Sequence, residues 1–420
     1  MKKRLPVILC LMLVLCLAGG CALMPMGALS GMYTAMHSVP SAPAEDSDSV
    51  TISREEYEMY QQFDKLLGLM EMADAWYYED ADHQKMLDGA AAGLLAGLGD
   101  QYTFYYTAED YESMMEDDEG RYAGVGIQIQ GSYLTGLCTI TRVFAGSPAE
   151  AAGVQRGDIL YSVEDAEHEL MYVTTSSLDE AVSIMRGVPG TDVRVTFLRG
   201  TEEISYDLTR AVVNVNRVQA AMLEDDIGYI VLYQFAGDCA AEFQNAAKQL
   251  VEQGAKGIIM DLRDNPGGWV KDAETIADVF LDAGIVCTTV YKNEQKVVEY
   301  RTRNGKLDVE LVVLLNENSA SSSEILAGCL RDRAGATLVG TQSFGKGIVQ
   351  QVVPLEDGSA MQMTVAQYLT PSGDAVHKIG LTPDVEVHLD EGDNGMHSFG
   401  DLSDAQLARA LEVMRTKLGK

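Results

Sequence analysis

Two short segments of the chain carry residue types able to do covalent chemistry. One is Asn318-Ser319-Ala320-Ser321-Ser322-Ser323-Glu324; the other is Phe344-Gly345-Lys346-Gly347-Ile348-Val349-Gln350. A serine acts as a nucleophile only when a neighbour takes its proton, and a lysine can take it when burial destabilises the ammonium form. The pair therefore fits a hydrolase with a Ser–Lys dyad. Each segment also has a plainer reading. Serines 319 to 323 suit N-caps and turns, and a glycine-flanked lysine can bind phosphate. The GxxxxGK[ST] phosphate loop is not formed, because Ile348 follows Gly347. A third segment, Asp261-Leu262-Arg263-Asp264-Asn265-Pro266-Gly267-Gly268, can expose a backbone N–H at the carboxyl edge of a parallel sheet, or simply close a tight turn.

These residues need elements to hold them. Leu311 to Leu315 is apolar without alternation, as in a strand buried on both faces. It feeds the serine turn and a helix starting near Ser323, so the serines sit at a helix amino terminus whose free N–H groups can hold an oxyanion. Gly345 and Gly347 let the backbone pack closely around Lys346. Gln350 follows either one helical turn on or on the same strand face, where its amide can orient the lysine. Strands and helices alternate from Ile227 onward: 227–232 then a helix over 240–253, and 257–262 then a helix over 270–281. That rhythm predicts a mostly parallel α/β core. Upstream, 121–209 reads as short strands with a turn into a short helix at 147–153 and a helix over 177–186, a β-rich module of roughly 90 residues. Helices are expected over 57–72 and 83–98, and an amphipathic helix over 404–418. Its apolar stripe suits packing on its own domain or a homodimer contact.

Length and charge bound the remainder. The chain has 420 residues, enough for two or three domains. Its net charge of −32 argues against nucleic acid and against an anionic membrane surface as partners. Met1-Lys2-Lys3-Arg4 is basic, Leu5 to Leu17 is almost wholly apolar, and Ala18-Gly19-Gly20-Cys21 supplies small residues before a cysteine. This is the pattern of an export signal. Cys21 is a lipidation candidate, although Ala18 stands where a lipobox prefers Leu. The alternatives are a retained anchor of about 20 residues and simple cleavage. An extracytoplasmic, membrane-tethered protein is the expectation. Cys138, Cys239, Cys287 and Cys329 form no metal-type spacing and suit buried free thiols. The histidines show no HExxH and no paired spacing, so no metal site is expected, and a Ser–Lys hydrolase needs no organic cofactor.

The three segments together resemble the carboxyl-terminal processing proteases, also called tail-specific proteases (peptidase family S41), whose motifs read SASASEI, FGKGxVQ and DLRxNPGG. Further along, Met361 to Gly373 and Gly380-Leu381-Thr382-Pro383-Asp384 fit the same family. The β-rich module resembles its PDZ domain, with Gly124-Val125-Gly126-Ile127 as the carboxylate-binding loop and Gly157-Asp158-Ile159-Leu160 as the G-D-x-I signature. The resemblance implies a multidomain α/β chain, in which a ClpP/crotonase-like α/β protease core carries an inserted β-rich PDZ domain and a small N-terminal helical region. The implied divisions are 1–26 (export signal or anchor), 27–50 (linker), 51–117 (helical region), 118–211 (PDZ), 212–390 (S41 core) and 391–420 (acidic stretch and terminal helix).

Carried over residue by residue, the resemblance makes Ser321 the nucleophile, Lys346 the general base and Gln350 its support. The N–H groups of Gly267 and Ser322 become the oxyanion donors. Arg186 is a candidate for coupling the PDZ module to the core. The implied reaction is peptide-bond hydrolysis through an acyl-enzyme, on protein or peptide substrates with exposed apolar C-terminal tails. Lysine has an ordinary pKa of about 10.4, so Lys346 needs burial to be neutral near pH 7. Ser322 stands where the family has Ala, making Ser323 a conceivable decoy. Asp264 replaces Asn, and Trp269 replaces Leu. A non-catalytic tail-binding protein and a crotonase-type acyl-thioester enzyme are the competing readings.

Overall fold

The computed structural model describes residues 51–132, 135–292, 297–389 and 399–420. Residues 1–50, with the expected export segment, Cys21 and the expected linker, and the acidic stretch 390–394 lie outside the described residues. The rest divides into two compact units.

The smaller unit comprises 51–111 and 351–364. It holds α1 (Arg54–Tyr60), α2 (Asp64–Trp76) and α3 (His83–Ala96). The single helix expected over 57–72 is interrupted by a 3-10 turn at Gln61–Phe63. Ser53 and Glu56 form a reciprocal capping box on α1, and Asp82 caps α3 through the N–H of Lys85. The short strand β1 (Phe104–Tyr106) pairs antiparallel with residues 360–362.

The larger unit holds 112–350 and 365–420. Helix α4 (Ala108–Glu119) leads into β2 (Arg121–Gly124). The β-rich module follows: β3 (Ile127–Gly131), β4 (Cys138–Val143), α5 (Pro148–Ala152), β5 (Ile159–Asp165), β6 (Met171–Tyr172), α6 (Leu178–Met185), β7 (Asp192–Arg199), β8 (Glu202–Thr209) and β9 (Ala211–Asn214). Its main sheet runs β3-β4-β5-β7-β8, so β3 is an edge strand. Ile140, Val163, Val195 and Phe197 fill its core with Ala181 and Ile184 of α6. β2 and β9 pair beside it and bring the chain in and out at one place.

The second sheet of this unit is built from β10 (Val218–Met222), β11 (Ile227–Leu232), β12 (Gly257–Asp261), β15 (Glu310–Leu315), β16 (Thr337–Gly340) and β19 (Val385–Glu386), adjacent in that order. All neighbours from β11 onward are parallel; β10 is antiparallel. Helices α7 (Cys239–Glu252), α8 (Val270–Asp278) and α9 (Ser322–Ala334) make the crossovers, with β13 (Asp282–Tyr291) and β14 (Val297–Asn304) forming an antiparallel pair between α8 and β15. Strands β17 (Ile348–Pro354) and β18 (Ala360–Leu369) follow β16, and residues 366–369 pair with β13. The last helix, α10 (Ala405–Lys417), lays Leu407, Ala410, Leu411 and Met414 against Ile259, Val312 and Leu314. Its apolar stripe is therefore used within its own domain, not as a free dimer face. Gly257 makes room for it: a Cβ there would lie 2.2 Å from the Met414 sulfur.

Candidate active site

Strand β15 is buried along almost its whole length and ends at a turn that delivers Ser321 to the first turn of α9. The serines of that turn separate by what their hydroxyls do. Ser319 Oγ donates to the Leu262 carbonyl at 2.8 Å, Ser322 Oγ to that of Gly268 at 2.8 Å, and Ser323 Oγ to that of Asn265 at 2.9 Å. Three hydroxyls thus tie the turn to the 262–268 loop, which accounts for the serine-rich sequence and leaves the Ser323 hydroxyl committed to a backbone carbonyl. Ser321 has φ 55° and ψ −114°, a region that costs a residue with a Cβ on the order of 1–3 kcal/mol and persists where the surroundings impose it.

The 262–268 loop reaches the same point from β12. Gly267 and Gly268 have φ of 100° and 140°, which only glycine adopts easily. A Cβ on Gly267 would lie 2.7 Å from the Ala320 carbonyl oxygen, 2.8 Å from Ser321 Cβ and 3.0 Å from Ser322 N. The Gly267 backbone is therefore against the serine turn. Its N–H, however, donates to Asn265 Oδ1 at 2.9 Å. The donor expected to be open toward an oxyanion is engaged locally here, by a fully buried asparagine whose amide donates to the Leu232 carbonyl. Ser322 N–H belongs to the first turn of α9, where backbone donors have no helical acceptor.

Lys346 is 2% exposed and Gln350, on β17, is fully buried. The glycines box the lysine as expected. A Cβ on Gly347 would sit 2.2 Å from the His377 nitrogen, and one on Gly345 3.0 Å from the Gly380 nitrogen. The two segments meet at a residue the sequence reading passed over. Glu324, fully buried, accepts from Ser321 N–H at 2.9 Å and Lys346 N–H at 2.8 Å through Oε2. Through Oε1 it accepts from Ser343 Oγ at 2.6 Å and Gly345 N–H at 2.7 Å. Burial pushes its carboxyl up from the ordinary value, and these four donors oppose that rise. The signal for Glu324 was its place at the third position of a helix after a serine N-cap. Tyr368 Oη donates to the Ser321 carbonyl at 3.2 Å, fixing the turn from the other side.

A serine with a committed backbone, a buried lysine and a glycine loop thus converge at the carboxyl edge of a parallel sheet. Residues 226–387 match Peptidase family S41, 139–199 match a PDZ domain, and 24–110 match the activating protease CtpB N-terminal domain. The chain is 34% identical over 330 residues to the carboxy-terminal processing protease CtpA of Bacillus subtilis (strain 168), covering 78% of this chain and 69% of that one. It is 38% identical over 333 residues to a carboxyl-terminal-processing protease of Synechocystis sp., covering 76% and 75%. The chain is a family S41 peptidase. Its fold is also that of the Photosystem II D1 C-terminal processing protease, with a TM-score of 0.52 at 27% identity over 80% of this chain and 94% of that one.

In this serine-type peptidase Gly124-Val125-Gly126-Ile127 forms the turn from β2 into the edge strand β3. Gly126 has φ 89°, and a Cβ there would fall 2.1 Å from Ser147 Cβ, the residue that caps α5. Arg186 follows α6; its guanidinium donates to Ser113 Oγ on α4 at 3.1 Å and lies 5.2 Å from the Tyr122 ring centroid. Arg142, missed in the sequence, sits 3.7 Å over the Tyr233 ring and donates to the Asn216 carbonyl, joining β4 to the segment that enters the sheet of β10 and β11. The cysteines 138, 239, 287 and 329 are free and buried. Among the described residues no acidic, histidine or cysteine cluster fits a metal ion.

Proposed function

We propose that this peptidase is an extracytoplasmic serine endopeptidase that captures C-terminal tails and cleaves by a Ser321–Lys346 dyad. Neutral Lys346 takes the Ser321 proton as Oγ attacks the scissile carbonyl, and it then protonates the leaving amine. Water deacylates the enzyme by the reverse proton path. Burial in a glycine-lined wall favours the neutral amine, with Gln350 as its orienting neighbour. Ser322 N–H and Gly267 N–H hold the oxyanion, the latter exchanging Asn265 Oδ1 for substrate. The observation that carries this reading is the single Glu324 oxygen that accepts from both Ser321 and Lys346.

The PDZ module receives an apolar tail as a strand added to the open edge of β3, with its carboxylate at residues 124–127. Arg186 links that module to α4 and so couples tail binding to the core. The basic and apolar residues 1–21 support export and tethering by an anchor or by lipidated Cys21. The test incubates the full chain, in mild detergent, with unfolded proteins bearing or lacking an apolar C-terminal tail. Tail-bearing substrate should disappear with wild type and persist with Ser321→Ala. Equal survival in both sinks the dyad, and equal cleavage with and without the tail sinks tail capture.

A further inference from the structure

Gly267 and Gly268 carry no side chains, and among the loop's own side chains Asn265 braces it from the Leu232 side. Its backbone is clamped on one side, where Phe235 N–H donates to the Gly267 carbonyl at 2.9 Å and Trp269 N–H donates to the Phe235 carbonyl at 2.8 Å. The first side chain after the glycines is Trp269, and its indole N–H donates to Asp118 Oδ1 at 2.7 Å. Asp118 lies in the last turn of α4, 151 residues earlier. That end of α4 is itself fixed. The Asp118 carbonyl accepts from Arg217 Nη2 at 3.1 Å, and Gly120 accepts from Val215 N–H at 2.9 Å. Gly237 permits the approach, since a Cβ there would lie 3.0 Å from the Asp118 carbonyl oxygen.

We infer that Asp118 and Trp269 form a positioning pair that holds the Gly267-Gly268 loop against Ser321, so that α4 sets the geometry of the oxyanion site. The inference rests on the proposed role of Gly267 N–H as an oxyanion donor. An indole N–H donating to a carboxylate is a charge-assisted bond, stronger and more directional than a neutral one. The loop needs such a stay because its clearance from the nucleophile turn is small: a Cβ on Gly267 would be within 3.0 Å of three atoms of residues 320–322. Oxyanion stabilisation depends on donor position to a fraction of an ångström. Helix α4 also carries Ser113, the partner of Arg186, so the same helix touches the PDZ module at one point and the oxyanion loop at another.

The test measures kcat and KM on a peptide with an apolar C-terminal tail for wild type, Ser321→Ala, Asp118→Ala, Asp118→Asn, Trp269→Phe and the Asp118→Ala/Trp269→Phe double variant. Urea unfolding of each identifies any variant that has lost its fold, and the two single changes back each other up. Asp118→Ala and Trp269→Phe should each lower kcat by about 10- to 100-fold with KM within about twofold. Asp118→Asn keeps an acceptor oxygen and should retain most of the activity. The double variant should be no worse than the poorer single, because both remove one bond. The pairing is wrong if Ser321→Ala is inactive but a folded single variant keeps wild-type kcat. It is also wrong if the two losses multiply, or if Asp118→Asn falls as far as Asp118→Ala. Activity in Ser321→Ala would instead overturn the underlying dyad.

Discussion

The backbone N–H groups of Ser321 and Lys346 donate to one and the same oxygen, Glu324 Oε2, at 2.9 and 2.8 Å. If Ser321 and Lys346 act as the proposed nucleophile and base, they come from different loops and need a common reference, and a buried carboxylate accepting four hydrogen bonds supplies one. Two donors come from the lysine loop itself, one from Ser343 just before it, and one from Ser321.

Glu324→Gln therefore replaces an acceptor oxygen by an NH2 group facing donors. Leaving buried donors unsatisfied costs about 1–3 kcal/mol. We expect a lower urea midpoint and, in the protein that still folds, a kcat reduced by about 100-fold or more through misplacement of either loop. Urea unfolding with parallel kinetics checks both. Wild-type values would show that the carboxylate has no positioning role.

Gly267→Ala tests the close approach of the loop. It adds a Cβ at φ 100°, 2.8 Å from Ser321 Cβ. Strain on the order of 1–3 kcal/mol and a displaced turn should reduce kcat far more than they alter tail binding. Tail affinity, read by fluorescence anisotropy of a labelled tail peptide, should stay near wild type.

Asp272 gives a pH-dependent stability. Burial, reinforced by the charge of Asp118, raises its carboxyl to about 6, against an accepted hydrogen bond from Cys239 that lowers it. The folded chain then holds this proton more tightly than the unfolded one, whose carboxyl titrates near 4. This group's contribution to stability accordingly falls as pH rises from about 4 to about 6 and stays low above that. Asp272→Asn should be more stable than wild type at pH 7.5, with the gap closing by pH 4. A gap that is constant with pH would contradict the raised value.

Much of this site was legible because its signals are local. The unbroken apolar run of β15, the serine turn and the Gly345-Lys346-Gly347 box each state their geometry in a few consecutive residues. What escaped depends on distance or on rotamers. Glu324 was visible only as the end of a motif, since three of its donors lie 19 to 22 residues away. Helix α4 is so acid-rich that it shows no clear apolar stripe, and the use of Asp118 appears only when the fold brings Trp269 to it. The antiparallel pair β13 and β14 mixes polar and apolar residues and was not assigned. The engagement of Gly267 N–H follows from one side-chain orientation of Asn265, which is held by the Leu232 carbonyl.

The dyad itself is tested most directly by cleavage of a tail-bearing substrate by wild type, Ser321→Ala, Lys346→Ala and Lys346→Arg at one pH near 8. Arginine stays protonated at any such pH and cannot accept the serine proton. All three variants should sit at the background rate while wild type turns over. Substantial turnover by Lys346→Ala or Lys346→Arg would contradict the account, because it would leave Ser321 activated by some other base.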